Sequence, residues 1–463
     1  MKIKPLIQLR ELIAAALKSQ TNLSKSFQSF FKEAMELFLT IPNRINFLQM
    51  ERFGHSSEQR FRMNFRKKCC DWIRFNKSFI AEGNPERRAI AIDPSYISKS
   101  GKKTPGLGYF WSGCASSMKW GLELMGFALV DADATSGTHM IAKQTFNKKR
   151  RGRVPEYLKH MDNPNSLVGQ YLRTINSLKD ELVSISKCMV ADAFFSKESF
   201  VTGLNSLGFS LISRFRDDVR LKYLYTGPKT GQRGRPKKFI GDVDLKKLDM
   251  GIFETFASGD TAIYSAIVWA VSLKREVKVV IADFNGPDKK ARSRKVFFST
   301  DTSKSAIDIF EIYRTRFQIE FLYRDAKQYT GLCNCQSRNS GTLDFAFNMS
   351  LSTINIARQF GTQYSTTLSV GDVDLIGRSI KDAVFEPARA GLVPHLKEAE
   401  KAALSAGAKA SFLGGSGPCI ISFFKKSEMG GKNIADAVKS VYDQNNMHCD
   451  TWVTTWGEGC RRE

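Results

Sequence analysis

Long apolar runs are what this 463-residue chain most lacks, since no stretch of roughly 18 apolar residues, the minimum for a membrane-crossing helix, occurs in it. The opening MKIKPLIQLRELIAAALKSQ breaks its apolar stretch with Arg10 and Glu11 and offers no small-residue cleavage site. That argues against a secretory leader and for a soluble, unexported, cytoplasmic protein with no membrane partner. Histidine is scarce, and the five present (His55, His139, His160, His395, His448) are scattered without metal-ligand spacing. The nine cysteines form no C-x-x-C pair and no even framework, which leaves reduced thiols as the expected state. Acidic residues are also in deficit, with 46 against 70 Lys and Arg, and the resulting +24 calls for a polyanion partner.

The positive charge is unevenly placed. Residues 361–463 hold 12 basic and 12 acidic residues, so the whole excess lies in the first 360. Within a helical-looking segment 1–80, residues 52–77 set Arg60, Arg62, Arg66, Lys67, Lys68 and Arg74 among Phe61, Phe65, Trp72 and Phe75. That mixture suits a helical DNA-binding domain, and it equally describes a basic helix whose aromatics are core. Arg233-Gly234-Arg235-Pro236-Lys237-Lys238 resembles an AT-hook core able to lie in a narrow minor groove, or else a basic loop that holds phosphates without base preference. The run Lys148–Arg153 reads as a further phosphate-tracking or simply solvated loop.

The segment SKSAIDIFEIYRTRFQIEFLYRDAKQYTGL (303–332) has no Gly or Pro before Gly331 and repeats apolar residues at helical spacing, which predicts one helix over about 303–328. At about 100° per residue, Tyr313, Arg316, Glu320 and Lys327 fall at about 0°, −60°, −20° and −40°. One carboxylate is thus embedded in a stripe of phosphate-binding groups, which suits a metal-bound nucleic-acid backbone; a solvated helix face with ordinary charge pairs is the plainer alternative.

The spacing Y-x2-R-x3-E-x6-K resembles the signature of a large group of bacterial insertion-sequence transposases of the DDE type, in which that Glu is the third catalytic acid. The resemblance implies two upstream aspartates at strand ends. Asp93 in Arg88-Ala89-Ile90-Ala91-Ile92-Asp93-Pro94 and Asp192 in Cys188-Met189-Val190-Ala191-Asp192 fit, each ending an apolar run. Asp131 and Asp133 are rivals for the first acid, but they end a strand expected to run antiparallel to the first and would sit at the opposite edge. Strands at about 88–93, 121–131, 138–143, 187–192 and 209–214, with helices at about 165–180 and 196–206, follow the order of a ribonuclease-H-like α/β core over 85–360. A β-rich insertion at about 215–300 is expected to form a small sheet of its own. The resemblance implies Asp93, Asp192 and Glu320 as catalytic residues and metal ligands. Hard carboxylate oxygens suit Mg²⁺ or Mn²⁺, and two such ions about 3.5–4 Å apart would serve phosphodiester cleavage and strand transfer. It further implies double-stranded DNA (element ends and target) as partner, a homodimer on DNA and a nucleoid location in a bacterium, with Tyr313, Arg316 and Lys327 as DNA-binding residues, to which the AT-hook-like segment adds Arg233, Arg235 and Lys237.

The neutral tail reads differently. GDVDLIGRSIKDAVFEPARAGLVPHLKEAEKAALSAGAKASFLGGSGPCIISFF resembles the C-terminal part of homoserine kinase, of the GHMP kinase family, with the glycine loop Gly414-Gly415-Ser416-Gly417 and Gly407 at an expected helix C-cap. This implies an α+β fragment over 361–463. The family's ATP-binding element, of the form P-x-x-x-G-L-G-S-S-A, is missing upstream; Pro105-Gly106-Leu107-Gly108-Tyr109 lacks the serines. The glycine loop is therefore expected to be idle. The alternatives to an active transposase are a DNA-binding remnant without chemistry and a small-molecule kinase.

Overall fold

Eleven residues, Arg88–Ser98, form β1, and Ala89, Ile90, Ala91 and Ile92 are buried on both faces, as a central strand requires. In the computed structural model, which describes residues 5–41, 44–146, 153–227, 237–259, 261–285, 292–369, 393–414, 419–425 and 430–454, β1 is flanked on both sides. Antiparallel β3 (Ser117–Asp131) pairs with it from Arg88↔Asp131 to Ser98↔Gly121, and parallel β5 (Cys188–Val190) pairs at Ile90↔Met189 and Ala91↔Val190. Strand β2 (Gly108–Ser112) folds onto the start of β3, β4 (Ser136–Gln144) pairs with β3, and β6 (Ser210–Arg214) runs parallel to β5.

The expectation that the first strand stops at Pro94 is corrected here. The strand continues through the proline to Ser98, because β3 stays paired along it while β5 pairs no further than Ala91, so the missing N–H interrupts no ladder on that side. The insertion also differs from expectation. Its strands β7 (Leu221–Leu224), β8 (Phe239–Asp242), β9 (Glu254–Ser258), β10 (Thr261–Ala270), β11 (Arg275–Asn285) and β12 (Arg292–Ser299) join the core sheet instead of forming a separate one. Strand β12 pairs with β6 at Ser299↔Ile212, which covers an edge that β6 would otherwise expose, and a single twelve-stranded mixed sheet results.

The chain divides into two compact units, residues 62–354 and residues 1–61 with 355–463. In the second, α1 (Pro5–Leu17) and α2 (Lys25–Thr40) are joined by the Arg10–Glu36 ion pair at 2.8 Å, followed by α3 (Phe47–Phe53) and the start of α4 (Glu58–Asn64). Phe27, Phe30 and Phe31 are buried along α2, and Phe61 lies 6.0 Å from Phe30 between ring centres. Also in this unit, α12 (Leu396–Ser405) and α13 (Gly431–Gln444) pack through Ala399, Ala403, Ile434 and Val438 beside the hairpin β13 (Ala410–Gly414) and β14 (Cys419–Phe423). Gly407 ends α12 at φ +107°, the left-handed turn that a helix C-cap glycine supplies.

The 62–354 unit includes α5 (Trp72–Lys77), which the sequence places with the N-terminal helices. Phe65, Trp72 and Phe75 are buried, with Trp72 and Phe65 against Phe345, while Arg62, Arg66, Lys67, Lys68 and Arg74 are exposed. The aromatics of that segment are core, and its basic residues form the surface. Helices α6 (Leu167–Ser177), α7 (Lys179–Val183) and α8 (Glu198–Ser206) separate β4, β5 and β6 in sequence. Long α11 (Ser340–Ser369) is fastened to a bulge in β4, where Asn76 donates to Met140 O at 3.0 Å and to Ser352 Oγ at 2.9 Å, and Asn348 brackets Ala142 N–H and C=O.

His139 is buried in β4 beside that bulge, and desolvation outweighs its bond with Asn348, pushing its pKa down to about 3. The unfolded chain takes up a proton near pH 6.5 that the fold refuses until about pH 3, so stability is full above 6.5 and falls with acidification by about 1.4 kcal/mol per pH unit in that window. Urea midpoints at pH 7.5 and 5 should therefore separate more in the wild type than in His139→Gln. Equal separations would remove His139 from the acid sensitivity.

Candidate active site

Strand register brings the two aspartates to one place. The last parallel rung is Ala91↔Val190, so Asp93 and Asp192 each lie two residues beyond it on neighbouring strands. Asp192 leaves the sheet as the cap of a short 3-10 turn, its Oδ1 accepting from Phe194 N–H at 3.0 Å. Asp93, contrary to a strand-end position, lies mid-strand opposite Gly126, and what ends there is only its parallel neighbour. Asp131 sits five rungs away at the other edge, paired with Arg88 at 2.5 Å, and Arg87 takes Asp133, Asp308 and Glu311. Neither rival acid approaches Asp93.

The third acid arrives on a broken helix. The single helix expected over 303–328 is instead α9 (Ala306–Thr315) and α10 (Gln318–Tyr329). Between them the bonds Arg316 N–H to Tyr313 O, Ile319 N–H to Arg316 O and Glu320 N–H to Phe317 O close tighter three-residue turns. The break rotates the anticipated stripe. Arg316 is only 5% exposed and pairs with Glu320 at 2.9 Å, while Phe317 faces outward. Tyr313 is buried with its ring 4.8 Å from Phe297, and burial raises its pKa despite Arg316 and Arg214 nearby. Lys327 donates to Ser95 Oγ at 2.9 Å.

Helix α10 is held on the sheet by Tyr323, whose hydroxyl donates to Asp93 O at 2.8 Å. That approach is open only because residue 126 is glycine: a Cβ there would meet Tyr323 Oη at 2.0 Å. Gly126 opposes Asp93, and since opposed residues share a face, α10 covers the face that carries Ala91, Asp93 and Ser95. Neither Tyr323 nor Gly126 is singled out by motif. The available signals were a Tyr three residues after Glu320, on the same helix face, and a lone glycine inside an apolar strand.

The charges interact across this small space. Burial pushes Asp93 up to about 7; Arg316 opposes that, Asp192 and Glu320 add to it, and Lys327 opposes it. Lys197, close to Asp192 and 3.6 Å above the Phe194 ring, is lowered by its own burial. The carboxylate donors are chemically suited to a hard divalent cation. Among the described residues, however, no three His, Cys, Asp or Glu side chains stand close enough to share one ion, and Glu320 is engaged by Arg316 instead.

The remaining predicted residues lie apart from this cluster. The ammonium of Lys237 is 5.1 Å from the Tyr225 ring, and Gly414 closes β13 against Ile421. Arg233, Arg235, Gly415, Ser416, Gly417 and most of the run 148–153 fall outside the described residues.

Comparison with known proteins finds two separate matches along the chain. Residues 48–249, which include Asp93 and Asp192, match the family model described as DDE superfamily endonuclease, and residues 365–444 match GHMP kinases C terminal. The chain thus carries a DDE superfamily endonuclease domain and a GHMP kinase C-terminal segment. The tail is 37% identical over 89 residues to the homoserine kinase of Chlorobaculum tepidum (19% of this chain, 27% of that protein). It is 39% identical over 82 residues to that of Chloroherpeton thalassium (18% and 25%) and 31% identical over 94 residues to that of Pyrococcus abyssi (20% and 31%). The chain spans about a quarter to a third of the length of these relatives. The endonuclease match ends before Glu320, so the third acid rests on motif and geometry.

Proposed function

We propose that this chain is a DNA transposase that cleaves phosphodiesters and transfers strands at Asp93, Asp192 and Glu320. The observation that carries the reading is the register that leaves Asp93 and Asp192 each two residues past the last rung between adjacent parallel strands, with Glu320 on a helix fastened to the backbone of Asp93. Antiparallel β4-β3-β1 continued by parallel β1-β5-β6 supports a ribonuclease-H-like core. In this reading the domains are a helical DNA-binding region over 1–80, the core over 85–360 and a kinase-like fragment over 361–463.

Asp93, Asp192 and Glu320 would hold Mg²⁺ or Mn²⁺, two ions in the full site, which supply activation of the attacking oxygen and stabilisation of the leaving one. Arg316 serves as the internal counter-charge of the acids, and Glu320 must leave it to join the other two. Lys327, Arg233, Arg235 and Lys237 contact DNA phosphates, Tyr313 backs Arg316 from within the core, and the +24 of the first 360 residues draws the polyanion in. The protein acts as a homodimer on element ends and target, in the bacterial nucleoid. Its kinase-like glycine loop is idle, because only the last part of that fold is present.

Incubation of the purified chain with supercoiled plasmid tests the reading. Nicked and linear products should form with Mg²⁺ or Mn²⁺ and disappear with chelator. Binding without cleavage would instead favour a DNA-binding remnant, for which the Arg316–Glu320 pair would be a permanent lock. ATP consumption with homoserine and no cleavage would favour the kinase.

A further inference from the structure

The hairpin formed by β2 and the start of β3 carries an exposed aromatic face that the proposed chemistry leaves unused. Its register is Tyr109↔Trp120, Phe110↔Lys119 and Trp111↔Met118. Opposed residues share a face and successive residues alternate, so Tyr109, Trp111, Met118 and Trp120 all project to one side while Phe110 is buried on the other. Those four are 64%, 59%, 55% and 40% exposed, and the Tyr109 and Trp120 rings meet edge to face at 5.3 Å. A monomer gains nothing by leaving such a patch in water.

Its surroundings indicate what it meets. Between Asp93 and Glu123 the sequence has no acidic residue, and Lys102 and Lys103 are exposed in the segment that leads into the hairpin. Aromatic faces among uncompensated lysines match a polyanion with flat apolar bases better than an apolar protein surface. Position and direction agree. Strand β3 alternates without interruption from Gly126, opposite Asp93, through Leu124 and Leu122 to Trp120 and Met118, so the patch lies on the face of the sheet that bears the Asp93 carboxyl. Six residues separate Gly126 from Trp120, about 20 Å along the strand, or about six nucleotides of stacked strand at 3.4 Å each. Tyr109 and Trp111, two residues apart, are spaced by about 6.8 Å, which leaves room for one base between rings.

We propose that this hairpin is a stacking platform for unpaired bases of the DNA strand whose phosphodiester lies at the acids. The proposal rests on the DNA-acting reading above and adds the substrate form: DNA opened or single-stranded within about six nucleotides of the cleaved bond. Ring stacking on bases is indifferent to sequence, so the platform favours melted ends over particular base pairs.

The test uses the full chain in chelator, so that binding is read without cleavage. Fluorescence anisotropy compares a blunt duplex with the same duplex carrying a single-stranded tail of about six nucleotides. Wild type should bind the tailed probe more tightly, with quenching of tryptophan fluorescence. Trp111→Ala with Trp120→Ala should lose about tenfold or more of the affinity for the tailed probe and less than about twofold for the blunt one, with an unchanged salt slope because no lysine is removed. Trp111→Phe with Trp120→Phe should keep most of the tail preference, which separates stacking from damage to the fold.

Equal losses on both probes, no loss on either, or a change of oligomeric state in sedimentation would overturn the platform, the last assigning the face to a second copy of the chain. Plasmid cleavage by the wild type with no tail preference would sink this proposal alone. Failure of the wild type to bind any DNA would sink it together with the DNA-acting reading.

Discussion

Asp93→Asn should abolish metal-dependent DNA cleavage and at the same time make the metal-free protein more stable. The carboxyl is half-buried near Asp192 and Glu320, and desolvation with those two charges holds it up at about 7, with Arg316 and Lys327 compensating only in part. Its folded pKa lies above the unfolded value near 3.9. The stability it contributes is therefore fully present below about pH 4 and lost as pH rises through about 7. Above that pH the ionised group works against the fold, and a neutral isostere should recover on the order of 1–3 kcal/mol.

Asp192→Asn and Glu320→Gln should be equally inactive, because each removes a ligand and so exceeds the roughly 10–100-fold loss typical of outer-shell partners. DNA binding should survive in all three, since the basic surface is untouched. Plasmid nicking, anisotropy and melting at pH 8 read the three properties separately. Cleavage retained by any variant would remove that residue from the set, and a less stable Asp93→Asn would refute the account of the charge cluster.

Gly126→Ala should be almost as damaging without touching an ionisable group. The new Cβ would stand 2.0 Å from Tyr323 Oη and 2.8 Å from Cζ, so α10 must shift away from β3. Overpacking of this kind costs about 1–3 kcal/mol, and the shift carries Glu320 away from Asp93. Tyr323→Phe alone, which loses the bond to Asp93 O, should cost only about 1 kcal/mol and reduce cleavage modestly. The two changes together should not restore activity, because the ring carbon remains 2.8 Å from the added methyl. Unchanged melting and nicking in Gly126→Ala would show that α10 is not positioned through this contact.

Much of the outline was legible in one dimension. Helical spacing and missing helix breakers located the helices around Tyr313 and Lys327, Gly407 announced the end of α12, and the zero net charge of residues 361–463 separated the tail before any comparison with kinases. Asp93, Asp192 and Glu320 were named as a set by motif and by their place after apolar runs. These are properties of neighbours in the chain: periodicity, composition and turn chemistry.

What the sequence could not settle depended on partners distant along it. Pro94 reads as a stop because proline cannot donate to a ladder, yet which ladder flanks it is decided by β5, nearly a hundred residues later. The insertion looked like a separate sheet because nothing in its own strands reveals that β6 offers an open edge. Phe65, Trp72 and Phe75 are as compatible with DNA as with a core in sequence; the fold buries all three, with Phe345 packed on Phe65 and Trp72 and Phe79 on Phe75. Arg316 looked like a surface phosphate ligand because a helical wheel assigns direction but not depth. The tightened turn between α9 and α10 carries it inward, where it pairs with Glu320 and lies over the Tyr313 and Phe317 rings. Sequence alone determined which chemical groups this protein has and the local elements they ride on. Only tertiary structure decided which groups face each other, because burial and strand register follow from contacts between segments whose separation along the chain carries no physical trace of their meeting.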